Sequence, residues 1–365
     1  MTLLRAQSVT TTSHCTLLRA RINQHTTKMT TNIKTRFLIC SDTHGISSLP
    51  GLVPSTEQHA DVAIHCGDLT TESQLHEYKA SIRLLQEIKA PLKLVIAGNH
   101  DFTVDIPMFH KKVAEARFLE RELVERAYGY DGEARQSFKD TGITFLDEGV
   151  HSFHLQNGAL LTVYASPYTP SLGDWGFQYH PDQGHDFMTD ASSDTHSIDI
   201  VITHGPPMGI LDYTNSGERA GSVDLFRALA RARPRPRMHC FGHIHEGWGA
   251  KLVTWRDRTS DIPSHLTDID NGQSCSIAKL SDINDRNRHP LSGESAPLEC
   301  FATSHCSGDA HPLQWGSQTL FVNAAIEGAH QGLDDKNENI TMQPPWLVDL
   351  ELRPPPLTAE EASAL

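Results

Sequence analysis

Short apolar runs recur along the chain from Phe37 onward: Phe37 to Cys40, Val62 to Cys66, Leu92 to Ala97, Ile143 to Leu146, Leu160 to Ala165, Ile198 to Thr203 and Met238 to Phe241. They are continuous rather than alternating, the pattern of strands buried on both faces. Between them Leu75, Tyr78, Ile82, Leu85 and Ile88 recur at helical spacing, with a capping box predicted over Thr71 to Gln74 and a stop before Pro91. A second helix is predicted over Val113 to Tyr128, ended by Gly129, and a third from a Ser222 cap through Leu225, Phe226 and Leu229 to a stop at Pro234. Thr319 to Ala324 and Trp346 to Leu350 read as closing strands. Strand and helix alternate, which predicts an α/β layered domain.

Two stretches break this rhythm. Residues 1 to 36 carry six Arg or Lys residues and no acid, the composition of a mitochondrial transit peptide, or of a short basic leader if translation starts at Met29. The leader is expected to end near residue 34 and to add nothing to the fold. Residues 256 to 315 are rich in Ser, Asp, Asn, Gly and His and show no sustained periodicity, so an exposed, partly disordered insertion is expected there. The core is thus predicted over 35–255, with closing strands in 316–353 and a tail over 354–365. Cys300, His305, Cys306 and His311 lie within or beside the insertion, but their spacing matches no common zinc finger.

Charge narrows the function. With 31 basic and 45 acidic residues the formal net charge is −14, which argues against broad capture of nucleic acid by a positive surface. Any phosphate chemistry must rely on local cations. The seven cysteines form no C-x-x-C pair and three of them lie in or beside predicted strands, which points to reduced, buried thiols in a cytoplasmic protein, with a mitochondrial location as the alternative if the leader is a transit signal. No apolar stretch approaches the length of a membrane span, so no membrane partner is expected.

The candidate chemistry sits at the ends of the apolar runs: Asp42-Thr43-His44, Gly67-Asp68, Gly98-Asn99-His100-Asp101, His204-Gly205 and Gly242-His243-Ile244-His245. In α/β sheets, loops leaving the carboxyl ends of strands converge from distant positions in the chain, and ligands bind there. Carboxylate oxygen, amide oxygen and imidazole nitrogen suit Mn²⁺, Fe or Zn²⁺, and thiolate is absent from the set. A second D-x-H triplet, Asp194-Thr195-His196, follows a polar run with no strand before it and no glycine after it, and reads as a loop decoy. Tyr168, Trp175 and Phe177 share a Gly/Pro-rich loop and read as packing residues as readily as substrate contacts. His110, His151, His154, His180 and His185 lack both ligand spacing and strand-end context.

These five clusters, in this order, resemble the pattern of the calcineurin-like metallophosphoesterase superfamily: D-x-H, G-D, G-N-H-[DE], H and G-H-x-H. The resemblance covers residues 37 to 254 and the closing strands. It sharpens toward the metallophosphoesterase-domain (MPPED) subgroup through Ala165-Ser166-Pro167-Tyr168-Thr169-Pro170, Trp175-Gly176-Phe177, Thr203-His204-Gly205-Pro206-Pro207 and Phe241 to Gly249. It implies a four-layer α-β-β-α sandwich with two central mixed β-sheets. It also implies two divalent metal ions, one held by Asp42, His44, Asp68 and His245 and the other by Asp68, Asn99, His204 and His243, with Asp68 as the bridge. His100 would face the phosphate as a catalytic residue, with Asp101 orienting its imidazole. The implied reaction is phosphoester hydrolysis by in-line attack of a metal-bound hydroxide, most simply on a small, cyclic-nucleotide-like diester, with no extended nucleic acid as partner. The alternatives are a phosphomonoesterase or phosphoprotein phosphatase, and a non-catalytic scaffold that keeps the fold.

Overall fold

A computed structural model describes residues 31–47, 49, 59–188, 197–283, 300–327 and 342–356. Residues 1–30 of the leader and the triplet Asp194-Thr195-His196 lie outside them. In chain order the strands of the first half are β1 (Ile33–Cys40), β2 (Val62–His65), β3 (Leu92–Val95), β4 (Thr144–Phe145), β5 (Gly149–His154), β6 (Leu160–Ser166), β7 (Thr169–Pro170) and β8 (Gln178–Tyr179). Those of the second half are β9 (Ile200–Thr203), β10 (Met238–Phe241), β11 (Gly249–Thr254), β12 (Cys275–Lys279), β13 (Phe301–Ser304), β14 (Gln318–Asn323) and β15 (Trp346–Leu352). The helices are α1 (Leu75–Glu87), α2 (Ile106–Glu115), α3 (Arg121–Tyr128), α4 (Glu133–Gln136) and α5 (Val223–Arg231).

Two mixed sheets form, in the orders β13-β15-β1-β2-β3-β4 and β12-β11-β14-β10-β9-β6-β5. Side-chain alternation explains how they stack. Phe37 and Ile39 of β1 and Val62 and Ile64 of β2 share one apolar cluster with Val163, Ile200, Ile202, Leu320 and Val322 of the second sheet. Their neighbours Leu38, Cys40 and Ala63 point the other way, onto Tyr78, Ile82, Leu84 and Leu85 of α1. On the far side Val201, Phe241 and Phe321 meet Leu225, Phe226 and Leu229 of α5. Every central strand is therefore apolar on both faces, as its continuous run predicted, and three apolar interfaces separate four layers. The α-β-β-α sandwich with two mixed sheets is the architecture observed. Among the described residues no helix is long and apolar enough to cross a membrane, and Cys40, Cys66, Cys240, Cys275 and Cys306 are free thiols.

The helical expectations needed local correction. The box at the start of α1 is built by Gln74 and Glu77, not by Thr71 and Gln74: the Glu77 carboxylate accepts from the backbone N–H groups of Thr71, Glu72 and Gln74. Thr71 is occupied elsewhere, its hydroxyl donating to the His44 carbonyl. The helix expected over Val113 to Tyr128 is two helices, α2 and α3. Asp105 starts the first, accepting from Met108 N, and Gly129, at φ 78°, ends the second. Ser222 caps α5 as expected, accepting from Leu225 N at 3.0 Å.

The described part of the 256–315 segment is more ordered than its composition suggested. Cys275–Lys279 pairs with β11 at one edge of the second sheet, and Phe301–Ser304 pairs with β15 at one edge of the first. Both are short, partly exposed edge strands, too brief for a period of two to stand out. Cys300, His305, Cys306 and His311 form no ligand cluster among the described residues; the His305 imidazole donates to the His311 carbonyl. The fold also starts slightly earlier than expected, because Ile33 already pairs with Leu352.

That β1·β15 pair carries an ion cluster. Asp349 accepts from Arg36 Nε at 2.7 Å and Nη2 at 2.9 Å and lies 2.8 Å from Lys34 Nζ. Burial alone would push its carboxyl up, but the bonds from Arg36 and Lys34 outweigh it and hold the group below the usual carboxylate range. A depressed folded value contributes stability above the unfolded value, near pH 4, and loses it as the pH falls through the folded one. We expect Asp349→Asn to lower the urea midpoint at neutral pH, with the gap to the native chain closing below about pH 4. A gap independent of pH would contradict this account.

Candidate metal centre

The five clusters meet where the strand ends of both sheets come together. Asp42 N donates to Gly67 O, Gly242 N to His204 O, and Ile326 N to Ser41 O. Ser41 also bridges Ala325, just past β14, so the first sheet and the second touch here. The backbone is bent hard to bring the side chains inward. Asp42, His44, Asp68 and His243 all have positive φ, between 44° and 68°, a region in which residues other than glycine are uncommon and cost roughly 1 to 2 kcal/mol each. Four such residues at one place mark a functional constraint rather than a folding preference. Gly242 cannot be larger, because a Cβ there would collide with the Asp42 carboxylate and the Ser41 side chain.

The donor atoms form three interlocked groups: Asp42, His44 and His245; His44, Asp68 and His100; and Asp68, His204 and His243. Within each group the ligand atoms lie within 4.8 Å of one another. Asp68 belongs to two of them. Asn99 joins the third, its Oδ1 lying 2.9 Å from His204 Nε2, which is also 3.2 Å from Asp68 Oδ2. Three imidazoles are aimed by the same device, Nδ1–H donated to a main-chain carbonyl: His44 to Thr70 O at 3.1 Å, His100 to Thr71 O at 2.6 Å and His204 to Cys66 O at 3.0 Å. That leaves each Nε2 pointing into the centre, as metal-ligating imidazoles require.

A cation suits this set. Asp42 and Asp68 are buried side by side, and among the described residues imidazoles offset their charge: despite burial, the neighbouring carboxylates push His204 and His245 up to about 9. Buried charge of this kind calls for a partner. His44 Nε2 is buried and has no hydrogen bond among the described residues, although a Glu327 carboxylate oxygen lies 3.0 Å away; with its proton on Nδ1, it has none to donate. Metal ligation would satisfy it.

A family model, the calcineurin-like phosphoesterases, matches residues 35–247. The chain belongs to that family. The chain is 33% identical over 216 residues to metallophosphoesterase domain-containing protein 1 of Homo sapiens and of Mus musculus, a match covering 59% of this chain and 62% of those proteins. It is 31% identical over 222 residues to a UPF0046 protein of Caenorhabditis elegans, covering 59% of this chain and 52% of the relative. The match thus spans less than two thirds of the length of these relatives.

Of the nine residues singled out in the sequence as ligands or catalytic groups, the fold gathers eight around one centre: Asp42, His44, Asp68, Asn99, His100, His204, His243 and His245. Asp101 departs from expectation. Its carboxylate does not orient His100, since it accepts from Gly98 N at 2.8 Å, Leu69 N and Thr70 N at 3.1 Å each, and Thr70 Oγ1 at 2.8 Å. It clamps the loop that carries Asp68 to the loop that carries Asn99. Three backbone donors in a buried corner outcompete a single imidazole, whose own Nδ1 the Thr71 carbonyl already engages. Burial, reinforced by Asp68, pushes Asp101 up to about 6.

One residue at the centre, Glu327, was not singled out, and a second, Trp175, reads in the sequence as packing as readily as substrate contact. Glu327 approaches His44 from the end of β14, and its signal was an acid immediately past a closing apolar run. Trp175 packs on His100, ring centroids 4.4 Å apart, held there by a Gly176 N to Asn99 O bond of 2.9 Å. His110 and His185 pair with Asp131 and Glu148 away from the centre.

Proposed function

We propose that this chain is a metal-dependent phosphodiesterase for a small diester of cyclic-nucleotide size. Two divalent ions of the manganese, iron or zinc kind would be held by Asp42, His44, Asp68 and His245 on one side and by Asp68, Asn99, His204 and His243 on the other. The observation that carries this reading is the sharing of Asp68 between two donor groups, because a common carboxylate lets two cations sit close enough to act on one phosphate. When bound, such ions polarise phosphoryl oxygens and supply the nucleophile.

The remaining work falls to the chain itself. His100 is fixed through Nδ1 by Thr71 O and by the Trp175 ring, so Nε2 is the atom that can hold or deliver a proton to the leaving oxygen. The backbone N–H of His100 donates to Asp68 Oδ1 at 2.8 Å, fixing that carboxylate's angle. Among the described residues, the positive groups acting most strongly on Asp42 and Asp68 are imidazoles. Imidazoles with no guanidinium clamp among them favour a singly charged diester over a doubly charged monoester.

The test is turnover of a cyclic nucleotide, a chromogenic diester, a monoester, a phosphopeptide and a nucleic acid, with metal content measured in parallel. Diesters should be preferred, and His100→Ala should cut their turnover about a hundredfold to ten-thousandfold while metal content is kept. Faster monoester or phosphopeptide turnover would reassign the substrate. Two bound metals with no hydrolysis of any substrate would leave the scaffold reading.

A further inference from the structure

A second concentration of positive charge lies at the other end of the second sheet, away from the metal centre. The segment Arg231-Ala232-Arg233-Pro234-Arg235-Pro236-Arg237 leads into β10, whose far end runs to His243. Beside it is a cavity of about 150 Å³ lined by Arg233, Arg235, Trp255, Arg256 and Asp257 and floored by the Gly316–Ser317 turn. That is room for about five waters, or for a phosphoryl group with part of its shell.

Arg235 is 2% exposed, and a guanidinium so buried ordinarily faces a carboxylate. Here it donates instead to the Leu229 and Ala230 carbonyls at the end of α5 and lies over the Trp255 ring at 4.5 Å. Arg233 likewise donates to Ala230 O, Ala232 O and the Thr259 hydroxyl, and Arg256 Nε donates to Ile269 O. None of the three forms an ion pair among the described residues. A simpler account makes Arg233 and Arg235 caps for α5, and they do cap it. A helix C-terminus offers only about half a negative charge, however, and Asp257 is the one acid in the lining, against three guanidinium groups. Asp268 turns its carboxylate to Ser260, Ser264 and Thr267. Burial first, then Arg233, lowers Arg235 to about 10, against a smaller opposing pull from Asp268.

We propose that this cavity is a binding site for a small phosphate anion, separate from the metal centre. Trp255 rules out a stacked base, since its ring is buried, with Arg235 over it and Phe226 and Phe321 packed beside it. Recognition is therefore of the anion alone, by fork-shaped donors suited to tetrahedral oxygens. The inference does not depend on the hydrolytic reading.

Calorimetric titration of inorganic phosphate into the metal-loaded native chain, Asp68→Asn and Arg256→Glu tests it. Arg256 is exposed and does not cap α5, so its replacement leaves the Arg233 and Arg235 caps in place. The native chain and Asp68→Asn should share a phosphate site that Arg256→Glu weakens about tenfold to a hundredfold. Phosphate binding that vanishes in Asp68→Asn, or that Arg256→Glu leaves unchanged, overturns the proposal. Sedimentation with vesicles containing phosphatidic acid separates the source of the phosphate. Capture by the native chain but not by Arg256→Glu would assign the cavity to a lipid headgroup and overturn the free-anion reading.

Discussion

Asp68→Asn should leave a folded protein that binds at most one metal ion tightly and has lost diester hydrolysis by about a thousandfold or more. The amide keeps the shape of the carboxylate and can still accept from His100 N through its oxygen, so the loops around it have little reason to move. What it removes is the negative charge common to two donor groups. If the paired cations lower the barrier by several kcal/mol, at about 1.4 kcal/mol for each tenfold, losing one of them costs about three powers of ten. Metal analysis and single-turnover rates read the two effects separately. Full activity with two metals still bound would show that Asp68 is not the bridge.

Asp101 should behave differently. Replacement by alanine leaves the N–H groups of Gly98, Leu69 and Thr70 without their acceptor in a buried corner, at about 1 to 3 kcal/mol for each orphaned group. The expected result is a fall of several kcal/mol in unfolding free energy, with metal affinity and activity falling as the Asp68 loop loosens. Asp101→Asn can restore some of those acceptors through its amide oxygen, so it should recover part of the stability and, in step with it, part of the metal affinity. A catalytic Asp101 would give another pattern, with stable, metal-replete protein and a changed pH–rate profile. Urea unfolding beside metal titration of the two variants separates these outcomes.

Asp101 also shows where the sequence stopped being legible. The eight gathered residues could be read in advance because each follows a continuous apolar run, and a buried strand delivers its end to a known edge of the sheet. The three apolar interfaces were implied by the same runs. Asp101 sits in the same cluster, but its choice of partner is tertiary: the Leu69 and Thr70 amides lie about thirty residues away in sequence, and no spacing rule sets them against the adjacent His100. The break between α2 and α3 was hidden for a similar reason, since the helix periodicity continues across a turn that Ala116 and Leu119 close by a local bond. Edge strands β12 and β13 were missed because they are short and mostly only half-buried, with no apolar run to mark them. Glu327 was missed because only the apolar run before it was read.

The positive φ angles of the ligand loops bear on how such a protein can change over evolutionary time. At His44 and His243 the backbone already has the conformation that glycine adopts at least cost. A substitution to glycine there would relieve the backbone while deleting a donor, so selection for stability and selection for metal binding pull in opposite directions at the same codons. Where the demand for hydrolysis lapses, these two histidines are the positions at which a lineage would be expected to lose a metal first and keep its fold.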